Sequence, residues 1–170
     1  MQLGPADLRL RRAKRADIDD LLRIEERAFA TDRIPRRSFH RFVASPSSTL
    51  LVAMREGTLV GYALVLIRAK AAVARLYSIA TAPEATRRGV GSALLAEAEK
   101  ATIARKRTVL RLEVHAKNAA AIKRYRKAGY VMFGRYSDYY ADGGDALRFE
   151  KRLTGRAIRG SGRSSGTNAG

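Results

Sequence analysis

Apolar and polar positions change their period along the chain, and each change marks an element. Residues 7–12, DLRLRR, alternate apolar and charged side chains, the mark of a strand with one wet face. Ile18, Leu21, Leu22, Ala28 and Phe29 then follow a 3.6-residue period behind Asp17, an N-cap residue type, with Asp20 in the first turn. Strand is followed by helix. Pro35 opens a second short helical stretch with Phe39, Phe42 and Val43 inward, and SPSS at 45–48 breaks it.

From Thr49 to Arg68 the pattern becomes β-rich on both sides of Glu56-Gly57, where glycine supplies a positive-φ turn position, so a hairpin is predicted. A third run, VARLYSIAT from Val73 to Thr81, stops at Pro83, giving a central antiparallel three-stranded sheet. A glycine-bearing loop, a helix from about Val90 to Arg105, a strand over Val109–His115 and a helix over Asn118–Ala128 come next, with Gly129 closing the last. Strands around FGRYSDYY and ALRFEKRL, separated by ADGGD, complete the sheet. One parallel crossover mixed with antiparallel pairs predicts an α+β domain over residues 1–153. Residues 154–170, rich in Gly and Ser with no apolar period, are expected to be a basic disordered tail.

Composition narrows the chemistry. The chain has 170 residues, no Cys and two His, so a disulfide framework, a thiolate nucleophile and a cysteine-based zinc site are excluded, and His40 and His115 stand too far apart in sequence to suggest a metal cage; no metal is expected. No apolar run approaches the ~20 residues that span a bilayer, and the start lacks the apolar core of a secretion signal, so the expected compartment is the cytoplasm, with no membrane partner. Lys and Arg number 34 against 16 Asp and Glu, a net charge of +18. That sign suits a polyanionic small ligand, a nucleic acid or an anionic surface.

The most informative stretch is IATAPEATRRGVGSALLAEAEK. Pro83 ends a strand, Gly89 and Gly91 permit close backbone approach, and Ser92 stands at the start of an amphipathic helix with Leu94, Leu95 and Ala98 inward. Amides from Arg87 through Arg88, Gly89, Val90, Gly91 and Ser92, the helix dipole and the two arginines together suit a diphosphate. The turn lacks the Gly-Lys-Ser/Thr of a nucleotide P-loop and the third glycine of a dinucleotide fold. On this pattern alone, a plain strand-to-helix turn is equally admissible.

Two further residues attract attention. Alternation over Val109–His115 puts Leu110, Leu112 and Val114 on one face, and Glu113 on the other with Arg111 and His115. Glu113 there is either a base in a cleft or a surface partner of a neighbouring arginine. Asn118, as N-cap, Ile122 and Tyr125 lie along one side of the following helix, so Tyr125 is either a functional phenol or part of a buried stripe.

PEATRRGVGSALL followed by LRLEVHAKNAAAIKRYRKAGY resembles the acetyl-CoA site of the GNAT N-acetyltransferase superfamily, whose loop reads Gln/Arg-x-x-Gly-x-Gly/Ala and whose second half reads Asn-x-x-Ala-x-x-x-Tyr-x-x-x-Gly-Phe/Tyr. The likeness spans Leu8 to Leu153, and within the superfamily the chain is most similar to the RimI-like ribosomal-protein-alanine N-acetyltransferases. Thr86 departs from the loop pattern by standing in the Gln/Arg place. The resemblance implies a mostly antiparallel sheet with flanking helices and a splayed parallel pair of strands. In that splay Ile79, Ala80 and Thr81 would offer their main chain to the pantetheine arm, with Asn118 as a further contact. It also implies Glu113 as general base, Tyr125 as general acid and cofactor contact, and Tyr136, Tyr139 and Tyr140 on the acceptor side.

Acetyl transfer to an amine needs a base for an ammonium whose ordinary pKa is about 10.4 on lysine and about 8 on an α-amine, a donor for the developing oxyanion and an acid for the thiolate. Direct attack suits a chain with no Cys. Three classes remain open at this stage: acetylation of a protein α-amine or lysine, of a small amine such as an aminoglycoside, polyamine or amino acid, or a non-catalytic nucleic-acid-binding module. The basic excess is compatible with work beside the ribosome or RNA.

Overall fold

The computed structural model describes residues 7–86 and 88–153; the expected tail from 154 onward and Arg87 lie outside them. Strand β1 (Leu8–Arg12) leads into α1 (Ile18–Ala28), and α2 (Arg36–Ala44) follows Pro35, its N-cap. Asp17 occupies the N-cap position of α1, yet its carboxylate turns back to accept from the Lys14 N–H at 2.7 Å and from the Arg11 guanidinium. It therefore fastens β1 to the start of the helix instead of capping the helix.

Strands β2 (Ser48–Arg55) and β3 (Thr58–Ile67) form the expected hairpin, with Glu56 and Gly57 both at positive φ (50° and 76°), as a type I′ turn requires. The chain continues through β4 (Val73–Thr81), α3 (Val90–Ala104), β5 (Val109–His115), α4 (Ala119–Lys127), β6 (Val131–Tyr136) and β7 (Ala146–Arg152). One expected strand is displaced: β6 begins at Val131 and ends at Tyr136, leaving Tyr139 and Tyr140 in a loop. Asp145 causes the break, because its carboxylate accepts from both Arg135 Nε and the Asp138 N–H and bends the chain away from the ladder.

The seven strands run in the order β1-β2-β3-β4-β5-β7-β6, and every neighbouring pair is antiparallel except β4 and β5, an α+β arrangement. Two adjacent residues of β3 identify the layers. A Cβ on Gly61 would meet Val90 and Leu94 of α3, whereas Tyr62 points the other way, edge-on to Phe39 of α2 at 5.8 Å and donating to Glu25 of α1. Helices α1 and α2 thus cover one face and α3 the other. Fully buried side chains such as Phe39, Leu64, Leu94 and Leu112 each contribute roughly 1.5–3 kcal/mol by leaving water.

Cover is lost beyond β4. In β5, Leu110, Leu112 and Val114 are buried, while Arg111 and Glu113 on the α1/α2 side remain partly exposed. The parallel pairing of β4 with β5 also stops early, at Leu76 opposite Leu112. Leu64 pairs with Ser78 and Val65 with Leu76, so Tyr77 is an extra residue in β4, a bulge at the point of separation. From there β4 follows β3 as far as Thr81, β5 follows β7 as far as His115, and a V opens between them. Among the described residues no helix is long and apolar enough to cross a membrane.

Candidate active site

After Thr81, at the open end of the V, a short turn, Pro83–Ala85, leads to Gly89, which caps α3 at φ 78°, a left-handed conformation that favours glycine. The first bond along α3 runs from Ala93 N–H to Gly89 O at 3.0 Å, so the amides of Val90, Gly91 and Ser92 have no acceptor within the helix. Arg88 N–H instead donates to Ala85 O at 3.3 Å, and the free donors begin after it; its side chain is exposed. Gly91 serves a different need. A Cβ there would stand 2.7 Å from Cζ of Arg124, a residue of α4. Thr81, Ala85, Thr86, Gly89, Gly91, Ser92 and Arg124 line a cleft of about 240 Å³. Backbone amides, a helix N-terminus and a guanidinium around one cleft suit an anion.

Thr81, on the cleft wall, is also the last residue of β4, whose unpaired edge borders the V. Ile79, Ala80 and Thr81 pair with β3 on one side only; their other edge faces the gap where β5 has diverged. Unpaired main-chain donors and acceptors there can bind an extended amide-bearing chain as a further strand would. Asn118 stands across the gap as the N-cap of α4, its Oδ1 accepting from Ala121 N–H at 3.2 Å.

Glu113 lies at the fork with its side chain 10% exposed. Oε2 accepts from Arg75 Nε on β4 at 3.0 Å; Oε1 has Arg148 Nε of β7 at 3.8 Å, beyond hydrogen-bonding distance. Among the described residues Oε1 therefore has no hydrogen-bond donor and is the oxygen open to a proton. Arg75 also donates to Tyr139 Oη at 2.9 Å. Tyr136 stacks on Tyr139 with centroids 5.4 Å apart, Arg148 lies over Tyr136 at 4.4 Å, and Tyr139 meets Tyr140 edge-on at 5.0 Å. The three tyrosines thus gather beside Glu113.

Tyr125 belongs to the opposite layer. Its ring is buried against Tyr130 and Phe149, at 5.8 Å and 6.4 Å, and burial pushes its pKa up to about 12, with Arg124 opposing. A continuous sheet would insulate it from Glu113. Here the sheet is parted: burial raises the pKa of the Tyr140 phenol most, Tyr139, Glu113 and Tyr125 add to the rise, and Arg75 opposes it. Tyr140 therefore stands within electrostatic reach of base and phenol alike.

His115 has both ring nitrogens engaged. Nδ1 accepts from Lys117 N–H at 3.1 Å, which leaves the proton on Nε2 to donate to Asp142 at 2.9 Å, while the ring stacks on Tyr140. This residue fastens the loop that carries the tyrosines and has no nitrogen left for acceptor chemistry. Asp32, in the loop between α1 and α2, accepts from Ala141 N–H at 3.1 Å and brings that loop to the same rim. Sequence reasoning missed Arg75, Arg148 and Arg124. The first two are revealed only by strand register, whereas Arg124 could have been noticed as the neighbour of Tyr125 in the second motif.

The described residues thus combine an anion cleft, an unpaired strand edge, a carboxylate and a protonated phenol, an arrangement able to hold a thioester and move protons around it. Comparison with known proteins identifies the family. Residues 16–130 match the family model described as the acetyltransferase (GNAT) family. The N-alpha-acetyltransferase RimI of Mycobacterium tuberculosis is 35% identical over 141 residues, spanning 81% of this chain and 87% of that protein. The mycothiol acetyltransferase of Clavibacter michiganensis is 32% identical over 134 residues, 74% of this chain but 43% of that protein. The crystal structure of the ribosomal-protein-alanine N-acetyltransferase from Brucella melitensis superposes with a TM-score of 0.76 at 28% identity, covering 85% of this chain and 99% of that one. The chain belongs to the acetyltransferase (GNAT) family, whose members use acetyl-CoA.

Proposed function

We propose that this acetyltransferase transfers acetyl directly from acetyl-CoA to the α-amine at a protein N-terminus. Acetyl-CoA supplies an acyl group activated as a thioester. The residues that would hold it are the amides of Gly89, Val90, Gly91 and Ser92 at its diphosphate, the open edge of Ile79, Ala80 and Thr81 along its arm, and the Asn118 amide. Glu113 Oε1 takes a proton from the acceptor ammonium, directly or through one water. Glu113 passes that proton to solvent and takes the second one from the nitrogen as the new N–C bond forms, while Tyr125 gives its phenolic proton to the sulfur as the C–S bond breaks and is reprotonated from water. The observation that carries this reading is the parting of β4 from β5 beyond Leu76 and Leu112, with the free amides of Val90, Gly91 and Ser92 after the open end of β4 and Glu113 at the fork.

The α-amine acceptor is supported by the name of the M. tuberculosis relative and by Tyr136, Tyr139 and Tyr140, which line an open rim. The mycothiol acetyltransferase supports a second reading, a small-molecule amine. Thiol release from acetyl-CoA, measured with peptides bearing free or blocked α-amines and with aminoglycosides, polyamines and amino acids, separates the two. We expect turnover on free α-amine peptides that falls about 10²- to 10³-fold in Glu113→Gln with acetyl-CoA affinity retained. Turnover confined to small amines assigns the second reading.

A further inference from the structure

Arg124 projects from α4 onto the first turn of α3. Its Cζ, Nη1 and Nε lie 2.7, 2.8 and 3.1 Å from the point where a Gly91 Cβ would stand. The N-terminus of a helix carries roughly half a positive charge. A guanidinium set against it is repelled, and among the described residues Arg124 forms no ion pair that would offset this. Two positive poles face one cleft, and among the described residues no anion lines it.

Among the described residues the cleft wall supplies little else with charge. Thr86, in the place where a Gln or Arg is usual, turns its hydroxyl to Ala82 O at 3.3 Å and Thr81 Oγ1 at 3.4 Å. Arg88 points to solvent. The remaining lining is Thr81, Ala85, Gly89, Gly91 and Ser92.

We propose that Arg124 is the side-chain ligand of the acetyl-CoA diphosphate, clamping it against the amides of α3 and replacing from α4 the charge that the loop lacks at Thr86. Gly91 is then a glycine so that the guanidinium can reach the helix. The assignment rests on the reading of this cleft as the acetyl-CoA site. Adjacent positions on α4 divide the work: Arg124 faces the diphosphate end and Tyr125 the sulfur end.

Calorimetric titration of the full chain and of Arg124→Ala and Arg124→Lys with CoA, 3′-dephospho-CoA and pantetheine tests it, with thermal melts to verify folding. One charge-assisted contact is worth about 10- to 100-fold in affinity. We expect Arg124→Ala to weaken CoA and dephospho-CoA by that factor alike and to leave pantetheine unchanged. Arg124→Lys should fall between, because an ammonium cannot form the bidentate fork. Unchanged CoA affinity in Arg124→Ala overturns the proposal. So does an equal loss for pantetheine, which marks a disturbed α4, or a loss for CoA alone, which moves the contact to the 3′-phosphate. Wild-type protein that binds none of the three refutes the cofactor site itself, a distinct failure.

Discussion

Arg75 Nε, from the paired part of β4, donates at 3.0 Å to Oε2 of Glu113, which lies one residue beyond the last parallel pairing of β4 with β5. The contact spans the strands as they part and fixes which carboxylate oxygen faces the gap. Arg75 is a positioning residue, since its other contact is Tyr139 and neither requires it to touch the reacting atoms. Arg75→Met should lower kcat about tenfold, while CoA affinity by calorimetry stays within twofold and Arg75→Lys recovers part of the rate. Equal losses of rate and CoA affinity would mark a general disturbance of the fork.

Tyr125 is kept protonated by burial, its pKa pushed up to about 12. An acid acts from its protonated form, so kcat should show no loss attributable to this group below about pH 11. Tyr125→Phe keeps the ring against Tyr130 and Phe149, and should fold normally while losing about 10²-fold in kcat. An unchanged kcat in Tyr125→Phe would exclude the role, whereas a fall in kcat near pH 9 that disappears in Tyr125→Phe would contradict the raised pKa and keep the role.

Gly89 and Gly91 separate two demands placed on one loop. Gly89 is left-handed with open space where a Cβ would go, so Gly89→Ala should cost about 1–2 kcal/mol of stability through the backbone alone. The φ of Gly91 is not positive, and a Cβ there meets the flexible end of Arg124. Gly91→Ala should therefore leave the melting temperature nearly unchanged and weaken CoA by about tenfold. Melting curves and titrations on both variants should give this crossed pattern.

Glu25 links four elements. Its carboxylate accepts from Tyr62 and from Ile34 N–H at 2.7 Å, and Tyr62 Oη in turn meets Ser78 Oγ of β4 at 2.7 Å. Burial raises its pKa, with the hydrogen bonds from Tyr62 and Ile34 opposing. A carboxyl raised in the folded state stabilises fully below its unfolded value of about 4.3, and this contribution is lost as pH rises through the folded value. Glu25→Gln can accept from Ile34 and donate to Tyr62, whose hydroxyl proton then turns to Ser78, so it should flatten the acid-to-neutral stability profile at little cost. Glu25→Ala strands the buried Ile34 N–H, leaves Tyr62 with Ser78 alone and should cost about 1–3 kcal/mol in urea unfolding. A Gln variant with the wild-type pH dependence would exclude Glu25 as the titrating group.

Much of this was legible from residues that act locally. The period over Val109–His115 marked β5, Glu56-Gly57 marked the hairpin, and Asn118 and Gly129 bracketed α4, because caps, turns and alternation are written in neighbouring positions. The bend at Asp145 was not, since it depends on a side chain accepting from Arg135 and Asp138 across a loop. Nor were Arg75 and Arg148 readable beside Glu113: β4 and β7 meet β5 only through long-range register, and the bulge at Tyr77 that parts the strands leaves no local mark. Glu113, Tyr125 and the glycine turn could be nominated in advance, while their positions around a parted sheet required the fold.

The position of the sulfur is the most direct test. In a crystal structure with bound CoA, the pantetheine arm should pair with the main chain of Ile79 and Thr81 and bring the sulfur within about 3.5 Å of Tyr125 Oη, on the side of the gap that Glu113 faces. An arm lying outside the V, or a sulfur separated from Tyr125 by the body of the sheet, would contradict the account.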